Sequence, residues 1–477
     1  MPSVGQGSFV VVANRLPVEG YTEEDGSPGW RVSPGGLVAA LEPVLTRNRG
    51  TWVGWSGTAD EALDPFDAEG MRLVPMKLTA DDVRDYYEGF CNATLWPLYH
   101  DVTAVPLFDR HWWEAYRDVN RRFADVVAVE AARDAVVWVQ DYQLQLVPAL
   151  LRAQRPDLRI GFFNHIPFPG YEIYARLPWR TQVVEGLLGA DLLGFQRGDD
   201  AANFLRACRK LTGVTTRGSV IESPPGSVPK ERERQVRAAA FPISIDSAGL
   251  EALAQQEATQ TRARQLRSAL GNPDVVLLGV DRLDYTKGIL HRLRAYGELL
   301  DEGHLDPSYA IMVQVASPSR DRVEEYQRLR DEIEGVVGRI NGDHSSIGRT
   351  AIRYLHQSFP KEEMAALYLM ADVMLVTPLR DGMNLVAKEY VACNLDLRGR
   401  LVLSEFTGAA EELRNAFLLN PYDIDGTKAA ILEAVGASTG EAARRMRTLR
   451  RRVMEFDVHH WANTFIAALD MVTNRSE

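Results

Sequence analysis

The chain has 477 residues, of which 45% are hydrophobic and 25% charged, and its net charge is −11. This length exceeds what one hydrophobic core usually holds, so we expect two domains. The acidic balance argues against a general binder of nucleic acid or of anionic membranes. We find neither a signal-peptide pattern nor an apolar run long enough to span a bilayer.

Three cysteines, Cys91, Cys208 and Cys393, lie far apart in the sequence and lack CxxC spacing. This pattern argues against a disulfide framework and against a zinc site built from cysteines. It fits a protein of a reducing cytoplasm, which is the location we expect.

The first predicted strand, residues 9–13, leads directly into Arg15. A polar loop follows and ends at Gly35 and Gly36, and a helix is predicted from Leu37. Backbone amides can approach an anion in this arrangement, and ligands bind at strand ends in open α/β sheets. Turn formation alone explains most Gly-Gly pairs, so Arg15 is the more specific signal.

Aromatic side chains are concentrated between the first predicted elements. Residues 52–55 and 71–78 are predicted strands, residues 79–90 a helix with Thr79 as its N-cap, and residues 109–131 a long amphipathic helix. Packing between elements explains most of the aromatic residues, and a platform for a sugar ring is the alternative. They are Tyr86, Tyr87, Trp96, Tyr99, Trp112 and Trp113.

Two polar residues follow neighbouring predicted strands in the first half. Residues 135–139 lead to Asp141, and residues 159–163 lead to His165. A single Asp or His at a strand end commonly caps a loop, but two of them beside Arg15 predict a site. A strand at 192–195, a helix at 199–211, an exposed charged loop or hairpin tip at 222–237 and a strand at 238–245 complete this half.

The second half repeats the alternation of strand and helix. Residues 275–280 lead to Arg282 and Lys287, and residues 310–315 lead to Arg320. Two cations on one strand-to-helix turn can hold a diphosphate, and two solvated cations are the alternative. We see no dense carboxylate cluster suited to Mg²⁺, so no metal is expected.

A later apolar run, residues 373–376, is predicted to be a buried strand, with Asp381 in the turn that follows. A helical period begins at Met383, so the N–H groups of a helix start would face a ligand and attract phosphate. Glu389, about two turns into this helix, would accept hydrogen bonds from ribose hydroxyls. An ordinary strand–helix unit with a solvated Glu is the alternative.

Strands alternating with helices over both halves predict an α/β protein with parallel sheets covered on both faces. We expect two doubly wound, Rossmann-like domains, residues 1–240 with a C-terminal helix at 457–477 packing back, and residues 241–456. Their strand ends would face each other across a cleft. The cleft would collect Arg15, Asp141, His165, Arg282, Lys287, Arg320, Asp381 and Glu389.

Residues 423–427 match the DxDGT pattern of phosphatase nucleophiles. That pattern needs a strand that delivers its first Asp, whereas Asn420 and Pro421 end the preceding strand and a helix follows. We therefore interpret Asp423 or Asp425 as a helix cap. Ser-His-Asp and HExxH spacings are not visible, so hydrolase motifs give no support.

The sequence resembles the trehalose-6-phosphate synthases, retaining glycosyltransferases of GT-B architecture in glycosyltransferase family 20. The resemblance runs nearly from end to end and rests on a colinear set of motifs. The motifs lie at residues 14–17, 35–36, 52–55, 86–92, 95–97, 165–169, 192–196, 282–288 and 377–389.

This resemblance implies transfer of glucose from UDP-glucose or GDP-glucose to glucose 6-phosphate, which makes α,α-trehalose 6-phosphate. Arg15 and Arg320 would bind the acceptor phosphate with help from Tyr87. The other implied acceptor-binding residues are Trp55, Trp96 and Asp141. Residues 1–240 would then be the acceptor domain and residues 241–456 the nucleotide-sugar domain.

For the donor, the resemblance implies that Arg282 and Lys287 hold the diphosphate, and that His165 and Asp381 contact the glucose. Glu389 would bind the ribose. The remaining implied donor-binding residues are Gly36, Phe359, Met383, Asn384, Leu385 and Val386. The implied catalytic residues are Asp141, His165, Arg282, Lys287 and Asp381.

The resemblance also implies no cofactor, no catalytic metal and no nucleic-acid or membrane partner, and a homo-oligomer, dimer or tetramer. Retention without an evident carboxylate nucleophile implies front-face attack, in which the leaving phosphate takes the acceptor proton.

Two departures from the family pattern affect these implications. Gln140 stands where the family usually has His, so a titrating role at this position is not expected. Residues 359–361 differ from more familiar members, which leaves the donor base, uracil or guanine, open. Other readings are a related transferase with another phosphorylated acceptor, a pseudo-glycosyltransferase, or a catalytically silent sensor of sugar phosphates.

Overall fold

A computed structural model of the chain describes residues 7–22, 28–32, 38, 41, 45, 50–68, 70–101, 104–222, 234–320 and 323–473. The chain divides into two units. The first comprises Met1–Asp101, Val105–Ile243 and His459–Glu477, and the second comprises Val102–Ala104 and Ser244–Val458. Within the described residues, no helix has both the length and the apolar character needed to cross a membrane.

The strands of the first unit form a large sheet and a small hairpin. The bounds are β1 Gly7–Arg15, β2 Val18–Thr22, β3 Pro28–Val32, β4 Thr51–Trp55, β5 Phe66–Ala68, β6 Met71–Met76, β7 Ala131–Gln140, β8 Arg159–Phe163, β9 Leu192–Phe195, β10 Thr215–Arg217, β11 Val220–Glu222 and β12 Val236–Ala240. The large sheet has the order β10-β11-β12-β9-β8-β7-β1-β4-β6-β5, and β2 pairs with β3.

The parallel part of this sheet runs from β12 to β6. Its strand order reverses direction at β1, because the chain first builds outward through β4 and β6 and then through β7, β8 and β9 on the other side. Such a reversal leaves a crevice beyond the carboxyl ends of the two central strands, which is where open α/β sheets bind ligands. Here those strands are β1, ending at Arg15, and β7, ending at Gln140.

The second unit contains one parallel sheet. Its strands are β13 Val275–Arg282, β14 Ala310–Ser317, β15 Ile352–Leu355, β16 Val373–Val376, β17 Arg400–Ser404 and β18 Phe417–Leu419, in the order β15-β14-β13-β16-β17-β18. The order again reverses between two central strands, β13 and β16, so a second crevice is expected beyond their carboxyl ends.

Helices connect these strands. In the first unit they are Ala80–Asp82, Val83–Leu95 with π-helical hydrogen bonding, Trp96–His100, Arg110–Glu130, Val147–Gln154, Tyr171–Tyr174, Arg180–Leu187, Gly198–Thr212 and Val458–Thr473, whose Val458 belongs to the second unit. In the second unit they are Ser247–Gln255, Glu257–Ala269, Ile289–Asp301, Glu324–His344, Lys361–Met370, Leu385–Cys393, Gly408–Glu412, Ile424–Gly436 and Thr439–Glu455. Single 3-10 turns cover Tyr142–Leu144 and Tyr285–Lys287.

The last helix of the chain packs on the first sheet through aromatic rings. Phe465 stacks on Trp138 of β7 with ring centroids 4.4 Å apart. The Phe465 ring fits because two glycines of the sheet have no side chain at this place. A Cβ added to Gly161 of β8 would lie 2.7 Å from the Phe465 ring, and one added to Gly194 of β9 would lie 2.8 Å from it. These two glycines let the helix approach the strands closely.

A buried ion pair joins the two central strands of the second sheet. Arg292, on the helix after β13, donates to the Asp281 carboxylate of β13 and to the carbonyl of Leu375 in β16. Both side chains are buried. A buried charge pair is retained only when its hydrogen bonds are made, so this contact fixes β13 against β16.

Several predicted elements have different bounds in the structure. The capping box of Thr79 confirms it as the N-cap, but the helix continues past residue 90 with π-helical bonding to Leu95. The strand predicted at 238–245 lies at Val236–Ala240. Asp423 caps the helix Ile424–Gly436 by accepting from Gly426 N at 2.9 Å, which confirms the predicted cap. The match to the phosphatase pattern therefore marks a helix start and not a nucleophile at a strand end.

Candidate active site

Arg15 lies at the end of β1 against an aromatic pair. Its guanidinium carbon is 4.8 Å from the centroid of the Trp55 ring, and Trp55 is its register partner on β4. The ring of Tyr87 meets Trp55 edge-on at 5.7 Å. An exposed cation above an aromatic ring can bind a phosphate while the aromatic side chains contact a sugar face.

Two glycines make room for Arg15. A Cβ on Gly57 would lie 2.1 Å from Arg15 Nη2, and Gly57 has φ +103°. A Cβ on Gly54 would lie 2.7 Å from the Arg15 carbonyl carbon. The guanidinium of Arg15 can therefore occupy this position only because Gly57, in the turn after β4, has no side chain.

The π-helical segment Val83–Leu95 is tied to the strand ends by its own polar side chains. Tyr86 donates to Asn14 Oδ1 at 2.7 Å, beside Arg15. Asn92 Oδ1 accepts from the Tyr142 hydroxyl at 3.0 Å, beyond the end of β7. π-helical turns recur at functional sites, and this one carries Tyr87 at the edge of the crevice.

Trp96 begins the helix that continues this segment. Its ring is buried and lies 5.7 Å from that of Tyr142 and 4.1 Å from that of His100. The His100 ring is held in turn by its Nδ1, 2.9 Å from the Trp96 carbonyl. The structure thus places Trp96 beside the chain that follows Asp141.

Asp141 and His165 meet beyond the ends of β7 and β8. Asp141 Oδ1 accepts from the backbone N–H of His165 at 3.0 Å. Asp141 has φ +70°, a left-handed conformation that costs free energy for a residue with a side chain. Its own N–H donates to the Phe163 carbonyl at 2.7 Å, which holds it there.

The His165 imidazole is bound by Gln140. Its Nε2 lies 2.9 Å from Gln140 Oε1, while Gln140 Nε2 donates to the Trp138 carbonyl at 3.4 Å. Since an amide oxygen only accepts, Nε2 carries the proton and Nδ1 is an acceptor. Burial lowers the pKa of His165 to about 3, so the ring is neutral at physiological pH.

In the second unit, β13 ends at Arg282 and a 3-10 turn carries Lys287. Asp284 caps this turn: its Oδ1 accepts from the Thr286 N–H and the Thr286 hydroxyl, both at 2.9 Å. Gly288 follows at φ +65°, and a Cβ there would lie 2.2 Å from the Thr377 carbonyl oxygen. The turn therefore sits directly on the start of the loop after β16.

That loop presents Asp381 to Lys287. Lys287 Nζ is 2.6 Å from Asp381 Oδ2, and Asn384 Nδ2 donates to the same oxygen at 3.1 Å. The Asp381 N–H donates to the Phe406 carbonyl at 3.1 Å. The predicted neighbours Lys287 and Asp381 are thus in contact.

Asn384 is the N-cap of the helix Leu385–Cys393. It has φ +77°, and its side-chain oxygen accepts from Ala387 N at 3.3 Å. The helix begins two residues later than predicted, so Glu389 lies about one turn from its start rather than two. The N-cap Asn384 contacts Asp381, the partner of Lys287, and the N–H groups of a helix start can bind an anion.

Glu389 is oriented by a buried tyrosine. The Tyr368 hydroxyl donates to Glu389 Oε2 at 2.7 Å. Burial raises the pKa of Glu389, and the hydrogen bond from Tyr368 acts against that rise. One oxygen is therefore fixed by the protein, while a carboxylate has further acceptor positions for hydroxyl groups.

Arg320 follows β14 in a left-handed conformation with φ +54°. Its Nη1 donates to the Tyr326 hydroxyl and lies 3.8 Å from Asp284 Oδ2. Arg282 Nη2 is also 3.8 Å from Asp284 Oδ2. Three site residues, Asp141, Arg320 and Asn384, thus have positive φ, and such strain is concentrated at functional sites.

The family model described as Glycosyltransferase family 20 matches residues 7–471. The chain belongs to glycosyltransferase family 20. A trehalose-6-phosphate synthase of Mycobacterium avium (strain 104) is 57% identical over 473 residues, which cover 98% of this family 20 chain and 96% of that relative. The family predicted from the sequence motifs is confirmed.

Two solved structures resemble the chain throughout. One is an α,α-trehalose-phosphate synthase (UDP-forming) of Burkholderia xenovorans in complex with glucose-6-phosphate, with TM-score 0.88, 34% identity and coverage of 97% of this chain and 100% of that one. The other is an E. coli structure bound with UDP-2-fluoro glucose, with TM-score 0.86, 35% identity and coverage of 97% and 98%. The predicted α/β GT-B fold and the hexosyltransferase class are confirmed.

Some predicted site residues of the family 20 chain have less structural support. Gly36 lies outside the described residues. Phe359 is half-buried after β15, and Met383 is buried at the turn before Asn384. Among the described residues, no group of three or more His, Cys, Asp or Glu could hold a metal ion.

Three residues were missed by sequence reasoning as parts of this family 20 site. Asp284 lies inside the motif at 282–288. The spacing of that motif does not show whether its carboxylate is buried and paired with cations or exposed to solvent. Tyr326 lies on the helix Glu324–His344 and Tyr368 on the helix Lys361–Met370, where aromatic positions predict only packing. Their hydroxyl contacts need the folded chain.

Proposed function

We propose that this chain transfers the glucosyl group of UDP-glucose to glucose 6-phosphate with retention and forms α,α-trehalose 6-phosphate and UDP. The observation that carries the proposal is the match over the whole chain to family 20 relatives, one of them solved with glucose-6-phosphate and another with UDP-2-fluoro glucose. The proposal is supported by a basic residue at the carboxyl end of a central strand in each unit, Arg15 of β1 and Arg282 of β13, where a phosphorylated substrate could bind.

The acceptor is assigned to Arg15, Trp55 and Tyr87 in the first unit. The phosphate would bind the Arg15 guanidinium, and the pyranose would pack against the edge of the aromatic pair. Trp96 would border the sugar and Asp141 would accept from its hydroxyls. Arg320 of the second unit is proposed as the other phosphate ligand.

For the donor, Arg282 and Lys287 would bind the diphosphate together with the N–H groups of Asn384, Leu385 and Val386. The helix dipole and the two cations would stabilise negative charge on the departing UDP. Asp381 would exchange part of its contact with Lys287 for hydrogen bonds to glucose hydroxyls. Further proposed donor ligands are Glu389 at the ribose, Phe359 near the base, Met383 and Gly36.

His165 is proposed to contact the donor glucose as a neutral ring. Because its Nε2–H is taken by Gln140, its Nδ1 would accept from a glucose hydroxyl. It would not act as an acid, since its pKa is about 3. At position 140, where the family usually has a titratable His, this chain has Gln140, whose amide oxygen accepts from His165.

In the chemical step, the bond between glucose C1 and the β-phosphate oxygen breaks, and C1 bonds to the anomeric oxygen of the acceptor on the same face. The acceptor hydroxyl proton passes to the departing phosphate oxygen. Electrostatic stabilisation by Arg282, Lys287 and the helix start lowers the barrier of this front-face route. The chain contributes the cations that balance charge on the leaving group.

A nucleotide-release assay tests the proposal. UDP-glucose and GDP-glucose are each offered with glucose 6-phosphate, and with glycerol 3-phosphate as an alternative acceptor, and the product is identified by mass and by its anomeric coupling. We expect UDP release and an α,α-linked disaccharide phosphate. Release with GDP-glucose alone would overturn the base assignment, and no product with either donor would support a silent homologue.

We further infer a cytoplasmic homo-oligomer, a dimer or a tetramer. Cys91, Cys208 and Cys393 are buried thiols, which fits a reducing compartment. Sedimentation velocity at several concentrations measures the assembly, and a single monomeric species throughout would contradict the oligomer.

A further inference from the structure

Asp284 is a fully buried carboxylate at the turn between β13 and the helix Ile289–Asp301. One of its oxygens is used by the turn itself, through the two bonds from Thr286. The other oxygen faces basic side chains. A buried carboxylate is stable only when such groups compensate its charge.

Three groups converge on Asp284 Oδ2. Arg282 Nη2 and Arg320 Nη1 each lie 3.8 Å away, and the Tyr326 hydroxyl donates to it at 3.3 Å. Burial acts to raise the pKa of Asp284, but Arg320, Arg282 and Lys287 outweigh it, and the pKa lies below its usual value. The carboxylate is therefore charged, and its field orients these cations.

Tyr326 extends the contact to Arg320. Its hydroxyl accepts from Arg320 Nη1 and donates to Asp284 Oδ2, which is the one arrangement that satisfies all three groups. The Tyr326 ring also lies 5.4 Å from the Arg320 guanidinium carbon. Arg320 is thus directed by a buried hydroxyl, a ring and a carboxylate.

We propose that Asp284 and Tyr326 are positioning residues that hold the acceptor-phosphate cation Arg320 and the donor-diphosphate cation Arg282 on one buried carboxylate. The assignment rests on the proposed function, because that function gives Arg282 and Arg320 their two substrates. Asp284 serves both substrates, since it also caps the turn that carries Lys287. The Tyr326 hydroxyl is assigned to the acceptor, since it contacts Arg320 and Asp284. The Tyr326 ring also lies 5.5 Å from that of Tyr285 in the turn that carries Lys287, and Tyr326→Phe retains this ring contact.

Tyr326→Phe and Asp284→Asn separate these roles. Tyr326→Phe removes one hydroxyl and should raise the Kd and KM for glucose 6-phosphate about tenfold, the effect of one charge-assisted hydrogen bond, with those for UDP and UDP-glucose unchanged. Asp284→Asn retains an acceptor for Thr286 but removes the charge, and should raise the constants for both substrates by about tenfold or more. Calorimetric titration gives each Kd, and initial rates give KM and kcat.

Tyr296→Phe is the matched control, because it deletes a buried hydroxyl that donates to the carbonyls of Ala310 and Ala351 in the same unit. It should lower the thermal midpoint without changing either KM. Acceptor constants within twofold of wild type for Tyr326→Phe, or equal losses for both substrates, would overturn the role of Tyr326. Wild-type turnover reports separately on the proposed function, whereas the variant-to-wild-type ratios of Kd report on the positioning roles.

Discussion

Lys287 Nζ lies 2.6 Å from Asp381 Oδ2, so a cation beyond the end of β13 is paired with a carboxylate beyond the end of β16. These are the two central strands at which the order of the second sheet reverses. Asn384 donates to the same carboxylate oxygen and is the N-cap of the helix Leu385–Cys393. The N–H groups of the first turn of this helix point toward its N-terminal end. The ion pair therefore stands in the place where this type of sheet binds a phosphate.

Lys287→Ala tests the diphosphate assignment. We expect kcat to fall by about a hundredfold or more, because charge on the departing UDP loses a cation. The measurement is steady-state UDP release with both substrates varied. Lys210→Ala removes an exposed lysine of the first unit and should leave kcat within twofold. A kcat for Lys287→Ala near that of wild type would exclude the role.

The fold, and the position of several candidate residues beyond the ends of the strands, could be predicted from the sequence for identifiable reasons. Apolar runs separated by helical periods determine parallel α/β sheets, and polar residues just beyond those runs must lie at the carboxyl edge. Arg15, Asp141, Arg282 and Asp381 were found in this way. Their chemical partners were not predicted, because those contacts span long distances in sequence.

Tyr326 illustrates the limit. It lies 42 residues from Asp284, and a tyrosine near the start of a helix predicts packing rather than a shared hydrogen bond. The π-helical bonding of Val83–Leu95 was likewise hidden, because side-chain periodicity over so few turns does not separate π from α winding. The pairing of Gln140 with His165 depends on the register of β7 with β8.

Gly57→Ala probes how Arg15 is seated. The new Cβ would lie 2.1 Å from Arg15 Nη2, so the guanidinium must move off Trp55. We expect the KM for glucose 6-phosphate to rise by about tenfold, the effect of about 1.4 kcal/mol, with the KM for UDP-glucose unchanged. Initial rates with each substrate varied give both constants.

Gly213→Ala is the matched control for backbone strain. Gly213 has φ +68°, but a Cβ added there would have no atom within 4 Å, so a methyl group meets nothing at this position. Gly213→Ala should lose about 1 kcal/mol of unfolding free energy, the usual cost of a left-handed alanine, and Gly57→Ala should lose more because its Cβ also contacts Arg15. An acceptor KM that changes equally in both variants would refute a specific contact between Gly57 and Arg15.

The low pKa of the His165 imidazole should make the free energy of unfolding depend on pH. Its pKa is about 3 in the folded chain and about 6.5 when unfolded, so the unfolded state binds more protons between these values. The free energy of unfolding should fall as the pH drops below 6.5, by at most about 1.4 kcal/mol per pH unit. Urea unfolding between pH 7 and pH 5 measures this slope.

His165→Gln should remove that contribution, so its unfolding free energy should depend less on pH than that of wild type. His304→Gln, which replaces an exposed imidazole, should retain the wild-type slope. If the slope of His165→Gln equals that of wild type, the ring is not buried in the neutral form.

Glu389→Gln examines the proposed ribose contact. The carboxylate oxygen not bound by Tyr368 would accept from the ribose, and an amide is a weaker acceptor than a carboxylate. We expect the KM for UDP-glucose to rise by about five- to tenfold with an unchanged KM for glucose 6-phosphate.

Because burial raises the pKa of Glu389, the donor KM of the wild type should also rise on acidification, and Glu389→Gln should remove that dependence. Glu332→Gln, at an exposed position of the helix Glu324–His344, should change neither constant, and an equal donor KM in Glu389→Gln and Glu332→Gln would place the ribose elsewhere.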